Sequence, residues 1–219
     1  MKRWFLCTML LTLSLATIAE AGSAAAEPRE GRWDFSIQTR YSWGKDITND
    51  DGSSVKIEDD LGWGFGFSKY VSEKVNIGMA FAWHSMYYDA TGVHENGEDT
   101  ATYSNILSTS AIALNGTYLI GSNRFKPYIT GNLGWMWVNT NITADVDGGC
   151  WYYPYVGYVC DGYQSATYGT DSVTYGLGLG LQMDLSPTAF LKIGWDHAWS
   201  DIDSWDSNDV LRVDIGWLL

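Results

Sequence analysis

From residue 33 to the end, apolar side chains and small or polar ones exchange places every second residue in eight separate segments. In the first, Trp33, Phe35, Ile37, Thr39, Tyr41 and Trp43 share one face and Asp34, Ser36, Gln38, Arg40, Ser42 and Gly44 the other. The same two-residue rhythm carries Leu61, Trp63, Phe65 and Phe67, then Val75, Ile77, Met79, Phe81 and Trp83. It continues with Ile112, Leu114, Gly116 and Tyr118, the weakest of the eight, and with Ile129, Gly131, Leu133, Trp135 and Trp137. The last three segments run over 173–185, 191–199 and 211–219. Period-two alternation sustained in this way predicts β-strands. The connections alternate as well. Those at 71–74, 121–124 and 185–188 are short and turn-like, whereas about 45–59, 88–103, 139–171 and 200–209 are long and polar. This arrangement predicts an all-β, eight-stranded antiparallel up-and-down meander with both termini at the short-turn end. No linker or exact repeat interrupts it, so 27–219 reads as one domain.

Eight strands can close into a barrel whose interior is just wide enough for side chains. The non-apolar face decides which way the wall is turned. A water-facing surface would carry Lys, Glu and Arg, but this face is mostly Gly, Ala, Ser, Asn and Thr, which suits a crowded interior. The apolar face holds too many large rings to share one lumen. Turned outward, it meets acyl chains, and Trp33, Trp43, Trp137, Trp199 and Trp217 near strand ends form interfacial girdles. Closure also pairs every backbone N–H and C=O without water, as the bilayer core requires.

Six charged residues inside strands, Asp34, Arg40, Lys192, Asp196, Arg212 and Asp214, share the inward parity, three of each sign. The first, seventh and eighth strands become neighbours on closure, so these charges can pair across the lumen. Buried charge is tolerated only when paired and hydrogen-bonded. An ion path or gate is the functional reading. A polar filling of a narrow barrel is the simpler one and is adopted.

The first residues change the picture of where the chain goes. Lys2 and Arg3 precede an apolar run to Ile18, followed by the small-residue sites Ala19–Ala21 and Ala24–Ala26. That is the pattern of a secretory leader over 1–26, too short for a spanning helix of roughly 20 apolar residues. The chain is strongly acidic, with a formal net charge of −13. This argues against nucleic acid as a partner, since a basic patch supplies that affinity. Two cysteines follow the leader, Cys150 and Cys160, and an even pair in an exported chain predicts a disulfide.

On the leader, the segments 126–135, 174–180 and 191–195, and the alternating final strand, the chain resembles the small outer-membrane barrels of Gram-negative bacteria. That group includes OmpA-like, OmpX-like and opacity-type porin-family proteins. The resemblance implies an outer-membrane location, periplasmic termini, long loops at the cell surface, contact with lipid and lipopolysaccharide, and delivery by the insertion machinery. Such barrels usually end in an aromatic residue, whereas this chain ends in Leu219 with Trp217 two before it.

Candidate sites lie mainly in the connections. The 139–171 loop encloses Trp151, Tyr152, Tyr153, Tyr155 and Tyr158 between the two cysteines. Rings of this kind are enriched at interaction hot spots, so the loop is a candidate surface-ligand site; a stapled loop packed on itself is the simpler alternative. Acidic clusters at Asp46, Asp50, Asp51, Glu58, Asp59 and Asp60, at Glu95, Glu98 and Asp99, and at Asp201, Asp203, Asp206 and Asp209 lack the glycine and distal Glu of a calcium loop. They are read as solvated. His197 has outward parity and Ser200 follows it in His-Ala-Trp-Ser, with Asp201 or Asp203 as an orienting acid. This is the one arrangement that points to lipid A modification, since a Ser nucleophile needs a base within reach. An interfacial His in an aromatic girdle is preferred. No metal cluster, phosphate loop or nucleotide fingerprint is present, so no catalytic, cofactor-binding or metal residues are expected. The reading is a non-enzymatic barrel with an envelope-structural or adhesion-type role. The alternatives are a channel for small or hydrophobic solutes and, second, a lipid A-modifying enzyme.

Overall fold

The computed structural model describes residues 28–48, 53–94, 100–143, 150–153, 157–160, 165–201 and 207–219. The expected leader, the loop acids Asp50, Asp51, Glu95, Glu98, Asp99, Asp203 and Asp206, and the side chains of 150–160 lie outside the described residues. In chain order the strands are β1 (Trp33–Ser42), β2 (Lys45–Thr48), β3 (Ser54–Ile57), β4 (Asp60–Tyr70), β5 (Val75–His94), β6 (Thr100–Leu119), β7 (Phe125–Thr143), β8 (Cys150–Tyr153), β9 (Gly157–Cys160), β10 (Ser165–Asp184), β11 (Ala189–Ser200) and β12 (Ser207–Leu218).

Eight of these close a ring in the order β1, β4, β5, β6, β7, β10, β11, β12 and back to β1, all antiparallel. The closing seam runs from Asp34 opposite Leu218 to Ser42 opposite Val210. The Leu219 N–H donates to the Trp33 carbonyl at 2.8 Å. The three short connections are turns at 71–74, 121–124 and 185–188. Gly121 takes a positive φ of 86° in the second of them, a conformation that costs glycine little.

Parity sets the two faces. Trp63, Leu133 and Leu177 are 58%, 57% and 62% exposed on the outside, whereas Asp34, Gln182 and Asp214 are at most 2% exposed within. Neighbouring outer rings stack, Trp33 on Phe67 at 4.8 Å and Trp63 on Trp83 at 4.7 Å between centroids.

Three long connections differ from the reading of the sequence. Strands β5, β6, β7 and β10 reach 19 or 20 residues, about twice the 9–11 needed to span a membrane. Most of 88–103 and part of 139–171 are therefore strand, and 45–59 contains the β2/β3 hairpin, which pairs onto β5. The physical reason is an inversion of the alternation. Beyond Trp83, the outward positions become Ser85, Tyr87, Asp89 and Thr91, of which only Tyr87 is large and it carries a hydroxyl, and the inward ones become Met86, Tyr88 and Ala90. Water has replaced hydrocarbon outside, so apolar residues turn in. They pack with Ile47, Val55, Ile57, Leu107 and Val138 as a core inside the projecting end.

Candidate functional site

The lumen is filled from its short-turn end upward. Tyr70, Leu119, Tyr128, Phe190 and Leu218 form a plug, each no more than 6% exposed. Of the glycines in 174–180, Gly180 makes room for this plug, as Gly194 and Gly216 do, whereas Gly176 and Gly178 make room for Asn132 and Asp196. A Cβ at Gly194 or Gly180 would overlap the Tyr128 hydroxyl, and one at Gly216 would overlap the Phe190 ring. Beneath the plug, the segment before β1 is latched in place. The Arg29 guanidinium donates to the Tyr70 hydroxyl at 3.0 Å, and its backbone N–H donates to both Glu73 carboxylate oxygens at 3.1 Å. Arg29 and Lys126 both pair with Asp184, which also accepts from Gln182 Nε2 at 3.1 Å. Sequence reading missed this base because Arg29 precedes the first strand and because Lys126 and Asp184 meet through the register of β7 and β10, in which Lys126 faces Gln182.

Above the plug, Arg212 is the hub. Its Nη1 lies 3.0 Å from Asp196 Oδ2, and its Nε lies 3.2 Å from Asp214 Oδ1. The second contact is an ion pair at an angle too poor for a hydrogen bond, so both of its atoms remain unsatisfied. Asp34 accepts from Ser68 Oγ at 2.7 Å and from Asn76 Nδ2 at 3.1 Å. Arg40 donates to Gln38 Oε1 at 3.4 Å, and Lys192 Nζ lies 4.7 Å from the centroid of the Phe190 ring. Of the six lumen charges, the structure thus brings Asp196, Arg212 and Asp214 into direct ion pairing. Asp34, Arg40 and Lys192 have neutral partners among the described residues. A cavity of about 120 Å³ lies above, bordered by Arg40, His84, Asp196 and Arg212, and one of about 40 Å³ adjoins Asp34 and Lys192.

His197 and Ser200 do not meet. His197 borders a groove on the outer wall, whereas Ser200 borders the lumen cavity. The acid that holds His197 is Asp209, its direct partner across β11 and β12, which accepts from Nδ1 at 2.7 Å. Strand register is the signal that finds this pair. At the loop end, β8 and β9 form a hairpin with Cys150 directly opposite Cys160, and β8 pairs with β5. Asp59 accepts from the Tyr41 hydroxyl at 2.6 Å and from the Gly44 N–H at 2.9 Å. The Tyr41 bond first, then Gly44, lowers the Asp59 pKa below its ordinary value.

The family model of the outer membrane protein beta-barrel domain matches residues 8–217. No curated protein matches the sequence. Among solved structures, the outer membrane protein OprG of Pseudomonas aeruginosa is similar with a TM-score of 0.59 and 12% identity, over 90% of this chain and 99% of that one. Neisserial surface protein A aligns with a TM-score of 0.53 and 11% identity, over 84% and 96%. Ail, the attachment invasion locus protein of Yersinia pestis, solved with the heparin analogue sucrose octasulfate, aligns with a TM-score of 0.53 and 12% identity, over 87% and 99%. At these identities the likeness is one of fold.

Proposed function

Because the chain belongs to the outer membrane protein β-barrel family, we propose that it is a closed, non-enzymatic outer-membrane barrel that works as a surface-interaction platform. In this reading the leader over 1–26 is removed, the insertion machinery assembles the barrel, both termini lie in the periplasm, and the projecting end faces outward among lipopolysaccharide. The observation that carries it is the plug, in which Tyr70 and Phe190 are fully buried across the base of the lumen. Among the described residues, a lumen closed at its base by rings and latched by Arg29 disfavours a water-filled channel. The lipid A-modifying alternative loses its nucleophile, since Ser200 and His197 occupy opposite sides of the wall.

The tall wall made by β5, β6, β7 and β10 supports display. It lifts the β8/β9 hairpin and its aromatic loop beyond the membrane on a sheet with its own apolar core. An attachment protein with a similar fold, Ail, was solved with a sulfated ligand. Here the loop acids and the net charge of −13 repel sulfated glycans, so the expected partner is neutral or cationic. Two measurements on the same preparation test the proposal. Planar bilayers should show no steady conductance, and cells displaying the protein should lose adhesion when residues 150–160 are deleted. Stable conductance, or adhesion unchanged by the deletion, would refute it.

A further inference from the structure

The outward apolar stripe has a gap where two neighbouring strands carry glycine. Gly116 and Gly131 are direct partners across β6 and β7, and both hold outward positions, flanked by Leu114 and Tyr118 and by Ile129 and Leu133. A Cβ at Gly116 would meet nothing within 4 Å, and one at Gly131 would reach only Leu177 Cδ2 at 3.8 Å. The inward glycines make room for neighbours inside the barrel, but these two open a groove on the wall. It measures about 740 Å³ and is walled by Tyr118, Ile129, Leu177, Leu179, Trp195 and Trp199, with His197 at its rim. Small-molecule sites fall in the range of roughly 300–1,000 Å³.

The groove has a direction. Gly116, Gly131, Leu177, His197 and Asp209 are successive cross-strand partners. Gly116 lies three residues from the short-turn end of β6, and His197 three residues from the loop end of β11. Strands tilt in a barrel, so this row climbs across the apolar belt toward the loop side. Its polar terminus is the pair of His197 and Asp209. The 2.7 Å contact to Asp209 engages Nδ1, which leaves Nε2 turned to the groove, where it is an acceptor in the tautomer that keeps its proton on Nδ1. Trp199 and Trp195 flank the imidazole, with centroids at 4.5 and 5.9 Å, and fix its plane.

We propose that this groove binds one acyl chain of an outer-leaflet lipid whose head-proximal part carries a hydroxyl or amide N–H that His197 accepts. Resting on the outer-membrane reading above, the inference follows from what surrounds the groove. Water entering such a trough would find few polar partners, and an unfilled trough forfeits dispersion contacts along its whole length. The surrounding hydrocarbon supplies the filling, and the acceptor at the rim selects among lipids. A hydroxyacyl amide offers a donor at the root of its chain. A phosphatidylcholine of the same chain length offers none.

The test uses the full-length protein in detergent, loaded with an N-(3-hydroxyacyl)glucosamine lipid or with phosphatidylcholine of matched chain length, then read by native mass spectrometry. One glycolipid should be retained per barrel, with roughly tenfold preference over phosphatidylcholine, the factor that about 1.4 kcal/mol supplies. Gly131→Leu fills an open position, so it should fold normally and lose the retained lipid. His197→Ala should keep a chain but retain the two lipids equally. Retention unchanged in Gly131→Leu, equal retention of both lipids by the wild type, or a barrel dimer in place of a lipid adduct would each overturn the proposal. Detergent-free solubility of the same chain would instead overturn the membrane reading beneath it.

Discussion

Arg212 and Asp196 meet at 3.0 Å inside the barrel, one on β12 and the other on the neighbouring β11. Both are less than 9% exposed, and Asp214 lies on the far side of the same guanidinium. One cation therefore pairs directly with two carboxylates in a lumen that also holds Arg40 and Lys192. Removing the cation should cost far more than removing the whole group. Arg212→Met is expected to destabilise the barrel by about 3–5 kcal/mol, the cost of leaving buried charge uncompensated. Adding Asp196→Asn and Asp214→Asn should recover most of that loss. Reversible urea unfolding in lipid vesicles measures both, and a triple variant no more stable than Arg212→Met would contradict the pairing.

Glycines on the two sides of the wall should respond oppositely to alanine. At Gly64 a Cβ would collide with the Phe81 backbone carbonyl, whereas at Gly116 it would meet nothing. Gly64→Ala is expected to lose about 1–3 kcal/mol through overpacking, and Gly116→Ala to stay within about 0.5 kcal/mol of the parent. Heat-modified mobility on gels without boiling gives the ranking directly.

Asp59 provides a pH signature at the loop end. Its folded pKa is depressed by the hydrogen bonds from Tyr41 and Gly44. A depressed acid contributes stability that is present above its unfolded pKa and is lost as pH falls through the folded value. Carboxyl NMR should show Asp59 titrating below an ordinary aspartate, and Tyr41→Phe should move it back up. A titration unaffected by Tyr41→Phe would remove that bond from the description of this end.

The facing of Cys150 and Cys160 in the β8/β9 register suits a disulfide. Directly opposed strand residues have Cα atoms about 4.5–5.5 Å apart, inside the bridging range. The exported protein should show no free thiol at either position until it is reduced. Reduction should cost the hairpin roughly 2–4 kcal/mol, seen as faster hydrogen exchange over 150–160. Free thiol at both positions in the untreated protein would exclude the bridge.

The eight spanning strands were legible because hydrocarbon outside and a crowded lumen inside impose one alternation, as Leu177 and Gly178 show. The projecting strands were not, because from Ser85 to Thr91 the inward residues are the apolar ones and the outward face keeps only the amphipathic Tyr87 among small and polar residues. The inward parity of Asp34 and Arg212 could be read along each strand. Which charges touch depends on register and on Tyr128 reaching toward Arg212 at 3.5 Å, neither of which the pattern encodes. Asp209 escaped notice as the partner of His197 for the same reason, since sequence proximity points to Ser200 with Asp201 or Asp203.

Spin labels placed in turn at Leu133, Gly134, Leu177, Gly178, Ile215 and Gly216 of the barrel in lipid bilayers test the orientation of the wall most directly. Labels at 133, 177 and 215 should be relaxed strongly by dissolved oxygen and weakly by a water-soluble nickel chelate, with those at 134, 178 and 216 shielded from oxygen. Equal access of the chelate to both sets, or oxygen contact on the even positions, would show that the apolar stripe does not face lipid.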